Sequence, residues 1–207
     1  AFFDAGSDAQ GHIPYSPTGF AALAATITRQ LYSLSNPPHK VLVLDADFTL
    51  WDGVCAEGAV HIKQEHHALQ EYALQQKRAG VLLAVCSKNI EADVRRTFST
   101  TSGMLLTEQD IVSWKINWKT KSENLKALAS ELDLGLDSFV FIDDNPTEVA
   151  EVRAACPSVL TLQLPVGAAV APFLQAIWAF DKSGTMTDRT ELYRQQAARH
   201  TAAESAA

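Results

Sequence analysis

A chain of 207 residues with 47% apolar and 20% charged side chains has the make-up of one ordinary folded domain with terminal additions, which excludes disorder and coiled coil as descriptions of the whole. Seventeen Lys and Arg against 24 Asp and Glu leave a net charge of −7 without a block of like charge, so nucleic acid is not an expected partner. The longest nearly apolar stretch, residues 166–180, falls short of the ~20 residues that span a bilayer and is interrupted by Gly167, Pro172 and Gln175; it reads as a buried loop and helix, and no membrane partner is expected.

The segment up to Tyr15 is a mostly polar arm, with no basic region leading into an apolar one. A cytoplasmic protein, cut from something longer, is the expectation from such a start at Ala1. Cys55, Cys86 and Cys156 are widely spaced and lack CxxC or HxxxH partners, which suits a reducing compartment and indicates neither a disulfide framework nor a zinc site. Ser16-Pro17 supplies a cap and a proline at the first helical position. The helix that follows puts Phe20, Leu23, Ile27 and Leu31 on one face and must stop before Asn36-Pro37-Pro38.

From Lys40 onward, short apolar runs alternate with amphipathic segments. VLVLD (41–45) reads as a strand, then a helix spans 65–79 and closes at Gly80, then VLLAVCS (81–87) is a second strand. A helix over 90–98 follows Asn89, the IVSW segment at 111–114 is ambiguous, and a helix over 121–133 carries Leu125, Leu128 and Leu132. FVFIDD (139–144) is a strand, a helix starts at Pro146 behind Asn145, VLTLQL (159–164) is the last strand, and helices are predicted over 171–180 and 188–200. Apolar strands between helices imply a doubly wound α/β fold whose parallel sheet is covered on both faces. The organisation predicted is an N-terminal arm and helix packing on the core (1–39), a catalytic core (40–181), and a C-terminal helix and tail (182–207).

In such sheets ligands bind beyond the carboxyl ends of the strands, and three strands here end in polar residues. Asp45 and Asp47 follow the first; two carboxylates two apart with no local base repel each other and invite a divalent cation. Asp143-Asp144 ends another strand in the same way. If those strands are neighbours, Asp45, Asp47 (through its backbone carbonyl) and Asp143 can hold one Mg²⁺ beside a carboxylate nucleophile, an arrangement for phosphoryl transfer. Alone, either acidic pair is as well explained as a turn or a helix cap.

With Ser87 and a lysine between them in order, VLVLDADFTL, LLAVCS and VFIDD resemble the motifs of the haloacid dehalogenase-like (HAD) phosphotransferases over residues 40–165. The resemblance implies a Mg²⁺ cofactor, Asp45 as the attacking nucleophile, Asp47 as acid and then base, and Ser87 as a hydrogen-bond donor to the phosphoryl group. It implies a charge-balancing lysine, for which Lys121 is chosen because it opens its helix, with Lys119 the alternative. Asp143 would hold the metal, and Asp144 would ligate through water or pair with the lysine. Lys88, Asn89, Thr49 and Asn145, beside these positions, are taken as substrate-binding. Phe48 stands where close relatives commonly carry a small or polar residue. The ~20 residues between Asp45 and the next helix, and the ~32 between Ser87 and Lys119, are too few for a large cap domain, and an open site admits a group tethered to a macromolecule.

HIPYSP, LDADFTLWDGVC, CSKN, INWKTKSENL, DDNPTEVAEVR and WAFD together, over residues 12–181, are similar to the FkbH-like family. That resemblance implies loading of a glyceryl unit from 1,3-bisphosphoglycerate onto an acyl carrier protein as a thioester, with removal of its phosphate, for polyketide biosynthesis. It gives Cys55 a role: attack on the acyl-phosphate carbon, followed by exchange onto the carrier's phosphopantetheine thiol. Cys86 and Cys156 read as core. His61, His66 and His67 lack HExxH order and read as solvated helix-start residues, one of them a candidate base for Cys55. His12 and Tyr15 either reach the site or staple the arm, and Trp51, Trp114 and Trp118 line either a pocket or the core. The competing readings are a stand-alone Mg²⁺-dependent HAD phosphatase with Cys55 inert, and a docking domain without turnover, against which the complete set Asp45, Asp47, Ser87 and Asp143 argues.

Overall fold

The computed structural model describes residues 2–181 and Tyr193; the predicted 188–200 helix and the 182–207 tail therefore lie outside the described residues, Tyr193 excepted. The chain divides into two units, Ala1–Pro38 and His39–Ala207.

In the first unit the predicted polar arm contains a short helix, α1 (Ala5–Gly11). Asp4 starts it by accepting from the Gly6 and Ser7 amides, and His12 ends it in the left-handed region at φ 54°. Such a cap is too local and too short to register as periodicity. Helix α2 (Pro17–Ser35) begins as the sequence indicates, with Ser16 Oγ accepting from the Gly19 amide at 3.1 Å, and ends at Asn36. Gly19 is required: a Cβ there would stand 2.6 Å from the Phe2 carbonyl oxygen.

The second unit is built on five parallel strands, β1 (Val41–Leu44), β2 (Leu82–Ser87), β3 (Ile111–Ile116), β4 (Phe139–Asp143) and β5 (Leu160–Gln163), in the order β3-β2-β1-β4-β5. The ambiguous IVSW segment is thus an edge strand. Helices α3 (Gln64–Arg78), α4 (Glu91–Thr100), α5 (Lys121–Leu132), α6 (Pro146–Ala155) and α7 (Val170–Ala176) complete the unit.

Alternation along the strands sorts the core into two layers. Leu42, Leu44, Leu83, Val85, Val140 and Ile142 face one side, against Leu69 and Ala73 of α3, Val94 and Phe98 of α4, and Leu174 of α7. Val41, Val43, Ala84, Cys86, Phe139 and Phe141 face the other, against Leu125, Leu128 and Leu132 of α5 and Val152 of α6. Because both faces are covered, each strand is apolar throughout, which is why the sequence shows runs rather than alternation.

The 166–180 stretch is only partly buried. Val170, Leu174, Ala179 and Phe180 are in the core, whereas Val166, just before the left-handed Gly167 (φ 60°), is 91% exposed. Among the described residues no helix is long and apolar enough to cross a membrane.

Candidate active site

Strand β1 pairs with β4 on one side and β2 on the other, so three polar strand ends meet at the point where the strand order reverses. The Asp45 amide continues the ladder by donating to the Ile142 carbonyl at 3.0 Å. The chain then turns: the Thr49 and Leu50 amides both donate to the Ala46 carbonyl, with Phe48 at φ 58°. An L residue in that region is strained, and strain of this kind clusters at functional sites. Phe48 is half exposed and stands between two depressions, one of about 360 Å³ over the aspartates and one of about 530 Å³ running past Asp144 towards Val166.

Lys121 is buried at the first position of α5, whose start Thr120 and Glu123 fix by reciprocal capping. Its ammonium donates to Asp45 Oδ1 and to the Cys86 carbonyl (2.7 Å), and stands 3.1 Å from Asp143 Oδ2. Burial works against the charged lysine, but Asp45 and Asp143 outweigh it and hold the ammonium above its ordinary value. Lys119 is exposed, so of the two candidate lysines Lys121 is the one at the carboxylates. The loop before it is tied by a feature with no sequence signal, a reciprocal amide pair between Asn117 and Asn124 at 3.0 and 3.1 Å.

Asp143 is 1% exposed. Its Oδ1 accepts from the Asn145 amide at 2.8 Å, while Oδ2 is buried without a hydrogen bond among the described residues. Burial pushes its carboxyl up, Asp45 adds to the shift, and Lys121 opposes both. Asp144 is raised by burial and by Asp45 as well, and its Oδ1 accepts from Thr49 Oγ1 at 3.1 Å. Asp144 therefore hydrogen-bonds to Thr49, and the lysine pairs with Asp143 instead. One oxygen each of Asp45, Asp143 and Asp144 lies within 4.8 Å of the others. Three hard oxygen donors this close together, with only one ammonium to share between two of them, fit a small divalent cation.

The Asp47 carboxylate is not among those three. Oδ1 accepts from Trp51 Nε1 at 2.8 Å and from the Cys55 amide at 3.1 Å, and Oδ2 from Asn89 Nδ2 at 2.7 Å. That leaves the backbone carbonyl as its route to a cation. Burial, the largest influence, raises the Asp47 carboxyl above its ordinary value, which favours a group that carries a proton.

Two residues read as substrate-binding serve the site from behind. Thr49 is fully buried and spends its hydroxyl on Asp144. Asn89 is 4% exposed; its Nδ2 holds Asp47 and lies 3.2 Å from Cys55 Sγ, and its Oδ1 accepts from the Ile90 amide. Sequence cannot distinguish an inward from an outward amide one residue past a strand. Ser87, Lys88 and Asn145 do border the depression over Asp45, Lys88 paired with Glu148 at 2.8 Å and Asn145 capping α6.

Cys55 is half-buried, and its thiol is pushed up to about 11, by burial first and by Asp47 second. Asp47, Asn89 and Asp93 bear on it, and of the three candidate histidines His61 borders the same cavity as Cys55. His66 is not solvated but 5% exposed, its Nδ1 accepting from the Lys63 amide. Cys86 and Cys156 are core residues, as read. Trp51 is core, Trp118 is 73% exposed at the rim of the aspartate depression, and Trp114 meets Phe98 edge-to-face and has Arg95 over its ring. Tyr15 packs edge-on against Phe20 within the first unit.

No protein-family model matches the chain, and no curated protein matches it. Among solved structures it is similar to the N-terminal part of a Bacteroides fragilis protein containing a phosphatase domain, complexed with Mg, at 27% identity and a TM-score of 0.69 over 90% of this chain and 50% of that one. The 3-deoxy-D-manno-octulosonate 8-phosphate phosphatase of Moraxella catarrhalis is a more distant match, at 20% identity and a TM-score of 0.44 over 74% of this chain and 90% of that one. The chain spans about half the length of that solved Bacteroides chain. With five parallel strands flanked by helices, it has the α/β fold of that phosphatase domain.

Proposed function

We propose that this chain is a Mg²⁺-dependent phosphotransferase domain of the HAD superfamily, and within it a glyceryl transferase and phosphatase of the FkbH-like kind, acting on 1,3-bisphosphoglycerate and an acyl carrier protein. The observation that carries the first part is the cluster of Asp45, Asp143 and Asp144 oxygens, the first two paired with the buried Lys121. The match to a Mg-complexed phosphatase domain supports it.

Asp45 attacks phosphorus, the bond to the leaving oxygen breaks, and Asp47 gives that oxygen its proton. Water then attacks the aspartyl-phosphate while Asp47 takes a proton back, releasing phosphate and restoring Asp45. Lys121 and Ser87 balance and orient the phosphoryl oxygens. A Mg²⁺ held by Asp45, Asp143 and Asp144 would supply charge that offsets repulsion between the nucleophile and its anionic target.

The acyl-transfer part is favoured by the clamp of Asn89 across Asp47 and Cys55. The Cys55 sulfur bonds to the acyl carbon, the carbon–oxygen bond to phosphate breaks, and the thiol proton passes to the departing phosphate in the same step, since its raised pKa leaves little thiolate beforehand. The experiment is intact-mass analysis of a carrier protein incubated with the domain, Mg²⁺ and 1,3-bisphosphoglycerate. Cys55→Ala is expected to leave the carrier unloaded, and Asp45→Asn to leave it loaded but still phosphorylated. Normal loading by Cys55→Ala would end the thioester reading, and normal phosphate release by Asp45→Asn would end the phosphatase one.

A further inference from the structure

Cys55 does not open onto the depression that holds the aspartates. It lines a second cavity of about 510 Å³, between the 58–62 loop and the last turn of α4. The two cavities share no lining residue; Val54 borders the first and Cys55 the second. Asp47 and Asn89 form the partition, since Asp47 accepts from the Cys55 amide and from Asn89, whose Nδ2 also reaches Cys55 Sγ.

Their chemistry differs as well. Asp45, Asp47, Asp143, Asp144 and Glu148 all border the first cavity, whereas no carboxylate residue borders the second, which has Arg96 at its edge and Val60 and Ile62 as an apolar wall. Thr97 lines it too: the residue is 9% exposed, and its hydroxyl, with no hydrogen bond among the described residues, is open to a ligand in the cavity. Arg96 is paired with Asp93 at 2.8 Å, but it is an exposed pair, cheap to exchange for another anion. The volume suits a slender ligand.

We propose that this second cavity is the acceptor site, entered by a thiol-terminated, amide-bearing arm that meets Cys55 without crossing the aspartate cavity. The proposal rests on the acyl-transfer reading above. The arm's sulfur attacks the acyl carbon held on Cys55; the new carbon–sulfur bond forms as the bond to Cys55 breaks, and the arm's thiol proton passes to Cys55. Thr97 meets the arm's amides, and Arg96 meets an anionic group at its far end.

Pantethine, the disulfide of pantetheine, tests the route: Cys55 attacks it, forming a mixed disulfide and releasing one pantetheine thiol, which peptide mass mapping quantifies. Thr100→Trp from the helix wall and Ala59→Trp from the loop wall should each slow the modification tenfold or more, while Ser99→Trp, outside the cavity, leaves it unchanged. Mg²⁺ with beryllofluoride, its binding at Asp45 followed by fluorine NMR, should leave the rate within twofold. Protection by beryllofluoride, indifference to both cavity-filling variants, or no adduct on the unmodified protein would each overturn the proposal. A carrier that is never loaded, despite this labelling pattern, would remove the proposed acyl transfer and leave the separate approach to Cys55 standing.

Discussion

At the ends of β1 and β4 three carboxylates meet, only two of them paired with the one buried ammonium, which is all that faces Asp143 Oδ2 among the described residues. Beyond the turn that follows, the cluster of Asp47, Asn89 and Cys55 has a donor on both carboxylate oxygens and the asparagine amide engaged at both ends. The first region carries an excess of buried negative charge that protein groups do not relieve, and burying such charge is expensive unless something pairs with it. The second is complete without a ligand. A site that awaits a cation and an anion has to be left unfinished, whereas one that holds a nucleophile in place has to be finished in advance.

The largest effect expected is from Asp45→Asn, which removes the nucleophile and one donor to the cation together. Phosphate release should fall on the order of 10³-fold or more, while alkylation of Cys55 by iodoacetamide stays within about twofold. Parallel loss of both would show that the two regions are one.

Within the floor, Asp143→Ala should weaken Mg²⁺ binding by calorimetry more than Asp144→Ala does. Asp143 presents a buried oxygen whose nearest partner is the Lys121 ammonium at 3.1 Å, whereas Asp144 is held to one side by Thr49; about tenfold is expected for Asp144→Ala and more for Asp143→Ala. Equal losses would mean that the buried Asp143 oxygen is not the cation's anchor.

In the finished cluster, Asn89→Ala should cost about 1–3 kcal/mol in urea denaturation, because Asp47 Oδ2 then loses its donor. Mg²⁺ affinity should be nearly unchanged. A large loss of Mg²⁺ binding would join what the geometry separates.

The smallest effect is one of pH. In EDTA, Asp143→Asn should be more stable than the unmodified chain near neutral pH by on the order of 1 kcal/mol, since it removes a buried charge. Asp143 has its folded pKa raised above the ordinary 3.8, so between those values the folded state binds more protons than the unfolded one and stability rises as the pH falls. The advantage of the asparagine should therefore shrink on acidification from neutral towards pH 4 and reverse when Mg²⁺ is added at neutral pH. Denaturant titrations across that range measure it.

Much of this was legible along the chain because it is local. Four apolar residues before Asp45 make a strand whether or not its neighbours are known, and Gly80, Asn145-Pro146 and Ser16-Pro17 mark helix ends by the backbone geometry they allow. The carboxylates at two strand ends, the hydroxyl at a third and the helix-opening lysine could be set out in order for the same reason. Which of them meet depends on strand order, and β1 lies between β2 and β4 only because residues far apart in sequence pack there. Helix α1, nucleated by one aspartate cap, carries too few residues to show a period. Thr49 and Asn89 look like substrate contacts in a motif, yet turn inward because Asp144 and Asp47 are there to receive them. Cys55 and Val54 are consecutive, but the chain passes between two cavities at that point, and the side on which a residue emerges is a property of the packing around it, not of its place in the sequence.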